Sequence, residues 1–536
     1  MKSRNRHVAA ILAAAMFGLM SISPVSAQHG AHTPTLGKLQ FKVECNEAAQ
    51  REFNLAMAYY HSFAWNELNN PLERALKADP TCGMVHWARA LGMLDNPFVW
   101  PGIIPAKALA DGPVALEAAR AAGLKSQRER DYVDALAVFF KDQDKLNHRA
   151  RAKALEDAMG QVAQRYPEDK EASILYALIL SSNFDPTDKK YTNQFKAAEI
   201  LEPISKAQPD HPGVVHYLIH TYDYPALAPK GVDAARRYGK LAADAPHALH
   251  MPSHIFTRVG AWKESIESNA ASAKSGTDKT FDKWHAYDYM VYAHLQLGQE
   301  AAARKVIQDA QTIPTKVDNF PIAYAYGAMP ARFALERGAW AEAAKLELTP
   351  APSAFPWSKH PQAEAVNAFA RGVGAAATKD AAQARAEVAR LLKLRDAATG
   401  YWAGQIDIQS EVVRGLATIA EGKADEGIEI LRQAAAREDA TEKHVVTPGP
   451  LLPAREVLAS ALLDAGKPAD ALREYETVLT KEPNRLRATG GAALAAERSG
   501  DKQKARLHYG KVLELTANAD SPRPEVTNAK RFLGRG

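Results

Sequence analysis

Apolar residues recur at helical spacing over most of the chain, Ala is abundant and β-branched runs are few. No convincing strand alternation interrupts that pattern. It predicts an all-α protein. The helices also repeat. "LLDAGKPADALREYETVLTKEPN" is followed by "AAERSGDKQKARLHYGKVLELTAN", which places Gly466 and Gly500 34 residues apart. Each glycine follows one helical stretch and precedes another that carries a small residue five positions on, Ala471 or Ala505; Pro483 ends the first unit. Helix, glycine turn, helix and proline at this period make the tetratricopeptide (TPR) pattern. It predicts a solenoid of stacked hairpins burying a continuous core.

Looser units turn at Gly260, Gly298, Gly338 and Gly422, and Pro80 and Pro209 mark earlier repeat ends. The Pro- and Ser-rich stretch 348–362 interrupts the periodicity, as does "KHVVTPGPLLPAREV" before the last regular repeats. The expected organisation is a leader over residues 1–27, an N-terminal solenoid over 28–347 and a C-terminal one over 348–536.

The leader rests on Lys2, Arg4 and Arg6, an apolar run from Val8 to Ile22, and a small-residue cleavage pattern ending at Ala27. The expected location is periplasmic or secreted. No other stretch is apolar enough to span a bilayer. The three basic residues fall in the leader, so the net formal charge of +5 drops to +2 without it. That gives no electrostatic case for nucleic acid or an anionic membrane surface. Cys45 and Cys82 are the two cysteines. In an oxidising compartment they most simply form one disulfide that staples the first hairpin; two free thiols, available to a metal, are the competing reading.

Histidine changes the picture. Of the 17, His211, His216 and His220 fall in "HPGVVHYLIHTYDY", and His247, His250 and His254 in "APHALHMPSHIFTRVG". TPR register converts position into direction, because positions 2, 5, 9, 12 and 13 of each first helix face the concave groove. Counting from Pro209 puts His216 and His220 at positions 5 and 9. Counting from Gly260 puts His247, His250 and His254 at 2, 5 and 9, and counting from Gly298 puts His285 at 2 and Asp288 at 5. Residues four apart share a helical face. Two imidazoles so placed hold one metal ion, and imidazole suits Zn, Cu, Fe or Ni. The expected metal set is His216, His220, His250, His254, His247 and His285, with copper, iron or zinc as the ion. Asp223 and Asp288 are candidate carboxylate ligands or acceptors for the ligating rings. Arg258, at position 13, is a candidate anchor for a carboxylate or phosphate, or an inter-repeat ion pair. If the protein is an enzyme, the expected chemistry is metal-dependent hydrolysis or oxidation-reduction, with Asp223, Asp288 or a tyrosine moving protons.

The blander reading is that histidines scatter. His294 falls at a packing position, His61 and His86 sit on helices without a paired partner, and His360, His444 and His508 are isolated and expected in solvent. A groove of imidazoles with Tyr217, Tyr222, Trp284, Tyr287 and Tyr292 also suits a small-molecule ligand or a peptide from an envelope protein. An adaptor of that kind is what the fold alone favours. No phosphate loop, nucleophile elbow, H-E-x-x-H or C-x-x-C-H motif is present.

Over about residues 43–300 the chain resembles a group of bacterial exported TPR proteins. The residues that carry the resemblance are "CNEAAQREFNLAMAYYHSF", "DPTCGMVHWARALGMLDNP", "HYLIHTYDYP", "PHALHMPSHIFTRVGAWKESIESN" and "WHAYDYMVYAHLQLGQ". The resemblance implies fold more than function. It carries Cys45, Cys82, His61, His216, His220, His250, His254 and His285 as motif positions. Where relatives often have an aromatic residue before the tryptophan of the second hairpin, this chain has His86.

Overall fold

The computed structural model describes residues 34–100, 104–277, 281–314 and 317–534. The leader expected over 1–27 lies outside them. Among the described residues every regular element is helical, which meets the all-α expectation. Helices follow one another as packed hairpins, from Glu47–His61 on Trp65–Ala78 to Leu486–Ser499 on Lys502–Leu515. This is a TPR-like helical solenoid. No described helix is long and apolar enough to cross a membrane.

The glycine turns work as the spacing requires. Gly466 and Gly500 have φ of +74° and +84°, the left-handed region that favours glycine. The next N–H then reaches back five residues, Lys467 to the Leu462 carbonyl and Asp501 to that of Ala496, both at 2.9 Å. That bond closes the helix end and reverses the chain. The same backward bond follows Gly260, Gly298, Gly338 and Gly422. Ala471 and Ala505 are fully buried where the second helix crosses the first. Cys45 and Cys82 are disulfide-bonded with Cα atoms 5.2 Å apart, which excludes the reading as free thiols.

The last repeats return to the middle of the chain. Trp262 Nε1 donates to the Asn484 carbonyl at 3.0 Å, and Asn484 Nδ2 donates to that of Gly260 at 3.1 Å. The Pro- and Gly-rich stretch before these repeats lies over the histidine helices. Lys443 Nζ donates to Asp223 at 3.1 Å, and Arg332 donates to Thr447 Oγ1 at 2.7 Å and to the Gly449 carbonyl at 3.0 Å. The expected open groove is therefore closed at this level. Each of the six candidate histidines is at most 7% exposed.

Gly260 is the tightest point of that return. A Cβ there would lie 2.3 Å from the Pro483 carbonyl oxygen, at a φ of +68°. Gly260→Ala is expected to cost about 1–3 kcal/mol, the range for overpacking, seen as a lower urea midpoint at unchanged helicity.

Candidate metal centre

Three helices carry the six histidines. Pro212–Tyr222 bears His216 and His220, and Phe281–Gln296 bears His285. The middle element is interrupted. Pro246–His250 and Pro252–Arg258 meet at Met251, where Pro252 has no N–H to donate into the helix. The turn tightens locally, and His254 N donates to the Met251 carbonyl at 3.1 Å. His250 and His254 face one another across this break.

The structure sorts the six into two sets of three. His216, His220 and His247 form one and His250, His254 and His285 the other; within each, one potential ligand atom per residue lies within 4.8 Å of the others. The two i, i+4 pairs thus each recruit a third ring from the first helix of the following hairpin, past an intervening helix.

In the second set the surroundings fix the tautomers. Asn269 Nδ2 donates to the Ser265 carbonyl at 2.7 Å, so its Oδ1 is the acceptor toward His250 Nδ1, 2.6 Å away. His254 Nδ1 lies 2.9 Å from Asp223 Oδ2. That carboxylate also accepts from Arg258 Nε at 2.9 Å and Lys443 Nζ at 3.1 Å. Burial alone would raise the Asp223 pKa, but Lys443, Arg258 and His254 hold it well below the ordinary range. An ionised carboxylate only accepts. Both Nδ1 atoms are therefore donors, and both Nε2 atoms of the neutral rings carry bare lone pairs. Those two Nε2 atoms lie 3.0 Å apart. Burial pushes the His254 pKa down to about 4 against the pull of Asp223, and burial with His285 nearby pushes His250 well below its usual value. The pair stays neutral at pH 7, and two lone pairs face each other.

The first set has the same character. His216 Nδ1 donates to the His61 carbonyl at 2.7 Å, and its Nε2 is buried with no partner. Among the described residues neither ring nitrogen of His220 or His247 has a hydrogen-bond partner. Uncompensated burial of such groups costs about 1–3 kcal/mol each. Burial, with His247 beside one ring and His216 beside the other, pushes the His216 and His220 pKa values well down. The walls are aromatic. Phe98 stacks on His220 at 4.0 Å between centroids, and Phe63 packs on His216 at 4.4 Å and on His247 at 5.4 Å. Phe63 holds this place at a φ of +52°, a conformation costing a bulky residue of order 1–3 kcal/mol.

A third cluster shows what a satisfied group looks like. His61 meets Tyr217 Oη at 2.8 Å and Glu171 Oε2 at 3.1 Å. His211 Nδ1 accepts from Val214 N at 3.3 Å, so its Nε2–H donates to Glu171 Oε1 at 2.8 Å. Every ring nitrogen is occupied and both carboxylate oxygens accept. This network braces the first set, because His61 supplies the carbonyl that orients His216.

Other sequence candidates resolve differently. Asp288 belongs to neither set; its Oδ1 accepts from Arg332 Nε at 2.8 Å and its Oδ2 from Nη2 at 3.4 Å, a buried ion pair. Arg258 is bonded to the carboxylate and the carbonyl of Asp223, so the inter-repeat ion pair is the reading that holds. Tyr222, Trp284 and Tyr292 turn to Glu202, Tyr326 and Arg485 instead of lining the centre. His294 bonds Gln299, as a packing position should. His360 and His444 are not solvated: one is buried and bonded to Asp318, the other packs on Trp402. Sequence reasoning missed Asn269, Lys443, Phe63, Phe98 and Tyr289, whose ring lies 4.9–5.3 Å from those of the second set. Lys443 stood in a stretch marked only as a boundary, and Asn269 lies on the second helix of its hairpin, which does not face the groove.

No protein-family model and no curated protein matches the chain. Among solved structures, the Naa15/Naa10 complex bound to HypK-THB aligns with 91% of this chain and 79% of that one, at 12% identity and a TM-score of 0.25. The TPR domain of P58(IPK) aligns with 91% of this chain and 98% of that one, at 11% identity and a TM-score of 0.21. Scores this low add nothing to the fold read from the helices themselves.

Two outcomes separate the roles of the carboxylates. Asp223→Asn is expected to weaken metal affinity about 10–100-fold, while Asp288→Asn leaves metal content unchanged and costs about 3–5 kcal/mol from the broken buried pair. Titration with metal and urea denaturation of each variant read these directly. The lowered histidine pKa values also fix a sign. A free imidazole titrates near about 6.5, so below that pH the unfolded chain takes up protons that the folded chain refuses. The urea midpoint of the metal-free protein is expected to fall as pH drops from about 7 toward 4.

Proposed function

We propose that the protein is an exported TPR-like solenoid whose interior carries a histidine metal centre that activates water or dioxygen. One observation carries the reading. The Nε2 atoms of His250 and His254 face each other at 3.0 Å with both Nδ1 atoms committed as donors. Two lone pairs so placed repel unless a cation lies between them. A shared proton would charge a ring that burial keeps neutral, whereas a transition metal takes up neutral imidazoles directly. The unpartnered nitrogens of His216, His220 and His247 extend the same logic to the first set.

Three neutral nitrogen ligands leave a coordination position open, the arrangement of a catalytic ion. There the ion acts as a Lewis acid on water or binds dioxygen. Asp223 orients His254 and raises its basicity as a ligand, and Asn269 does the same for His250 without adding charge. Export is supported by the leader pattern and the Cys45–Cys82 bond, since disulfides persist in oxidising compartments.

A second reading has its own feature. A cavity of about 810 Å3 lies beside Lys443 and Arg258, walled by Tyr324, Tyr401, Trp402 and Gln405. A peptide from an envelope partner would lie there if the protein were an adaptor.

The test is elemental analysis of the full chain after equilibration with copper, zinc and iron salts and removal of loose metal. Near-stoichiometric metal is expected, with loss in a His250→Ala/His254→Ala variant that keeps its helical circular dichroism. No metal in the parent protein would overturn the metal centre and leave the adaptor reading.

A further inference from the structure

The two histidine sets are close enough to be one site. Within the first, ring centroids lie 4.8 Å apart for His216–His220 and 5.2 Å for His216–His247. Within the second they lie 4.9 Å apart for His250–His254 and 4.3 Å for His250–His285. Between the sets, His220–His254 is 6.3 Å and His247–His250 is 6.4 Å. The step from one set to the other is thus little longer than the steps inside each. Among the described residues no side chain other than these six rings belongs to either set.

Charge then narrows the ion. Six neutral imidazoles return no negative charge. Asp223 is already matched by Arg258 and Lys443, so the neighbourhood of the second set is not anionic. Asp282, 3.7 Å from His247 Nδ1, and Asp95, which interacts electrostatically with His247, are two carboxylates beside the first set and do not balance four positive charges. Two dications would bring four positive charges into an aromatic interior, and burying uncompensated charge is expensive. Two monovalent ions halve that load. Copper is the imidazole-binding metal with a stable monovalent state. Once oxidised, the pair needs an anion to offset its charge, and at this separation of the sets one small anion can bridge both ions.

Resting on the metal reading above, we propose that the sets hold two copper ions as one coupled centre and that dioxygen is the ligand taken between them. The step balances without another reactant. Each Cu(I) gives one electron and becomes Cu(II), and dioxygen accepts the two electrons as peroxide dianion with its O–O bond reduced in order but unbroken. No proton is consumed. Asp223 and Asn269 keep the second-set rings aimed, as the His61 carbonyl does for His216, and Phe98, Phe63 and Tyr289 keep bulk water from the pair.

The experiment loads the full chain with Cu(I) in the absence of air, counts copper per chain, admits dioxygen, and follows its uptake and the electron paramagnetic resonance signal. The expected result is two copper ions and one dioxygen consumed per chain, with most of the Cu(II) spin intensity missing because the ions couple. His216→Ala/His247→Ala should keep one copper, show a full mononuclear signal and take up no dioxygen as a pair. His250→Ala/His285→Ala should do the same from the other side, so either variant serves if the other fails to fold. Two copper ions with full independent spin intensity, or a single copper per parent chain, would overturn the coupled centre while leaving a metal site. Zinc bound with copper refused would overturn the choice of ion. No metal of any kind would instead overturn the metal reading on which the proposal rests.

Discussion

The hydrogen bond from His254 Nδ1 to Asp223 is the interaction on which the rest of the structure depends. It fixes the tautomer of His254, and with it the lone pair that faces His250. It stands only because Arg258 and Lys443 keep Asp223 ionised in a buried place. Lys443 comes from 220 residues further along the chain. The carboxylate that orients His254 Nε2 toward His250 is therefore the same one that pins the returning chain over the histidine helices. An aspartate left there without its two cations would be an unpaired buried charge, which is strongly destabilising.

The two sets and the His61–Glu171–His211 cluster differ in one respect. All three are buried, and all three bring histidines into contact. In the Glu171 cluster each nitrogen has a donor or an acceptor, and the group closes on itself. In the sets, among the described residues, His216 Nε2 and both ring nitrogens of His220 and His247 have no hydrogen-bond partner, and the Nε2 atoms of His250 and His254 meet only each other. Protein interiors satisfy nearly all of their buried polar groups, so bare atoms like these call for an explanation. An ion held by the proposed centre would add to folding free energy, because it would remove an unfavourable term present only in the folded state. Phe63, held at positive φ against the first set, is strain tolerated at the same place.

Much of this was legible in the chain. Glycine turns 34 residues apart and buried Ala471 and Ala505 are local signals, and each element behaves as its spacing requires. The histidine register was legible for the same reason, since TPR geometry ties position to direction. What the sequence did not carry was the grouping. His247 joins the pair on the first helix of the preceding hairpin and His285 the pair one hairpin before its own, an outcome set by how neighbouring hairpins stack. The return of the 440s stretch was equally hidden, because contacts across more than 200 residues leave no periodic trace. That return turned an expected groove into an interior and brought in Lys443 beside the Asp223–Arg258 pair. Asp288 shared the register of the histidines, yet Arg332 claimed it.

The most direct test is diffraction from crystals of the metal-loaded protein on either side of the metal absorption edge. Two anomalous peaks are expected, one bounded by His216, His220 and His247 and one by His250, His254 and His285, with Asp288 remote from both. Peaks confined to surface carboxylates, or an empty anomalous map over both histidine sets, would contradict the account.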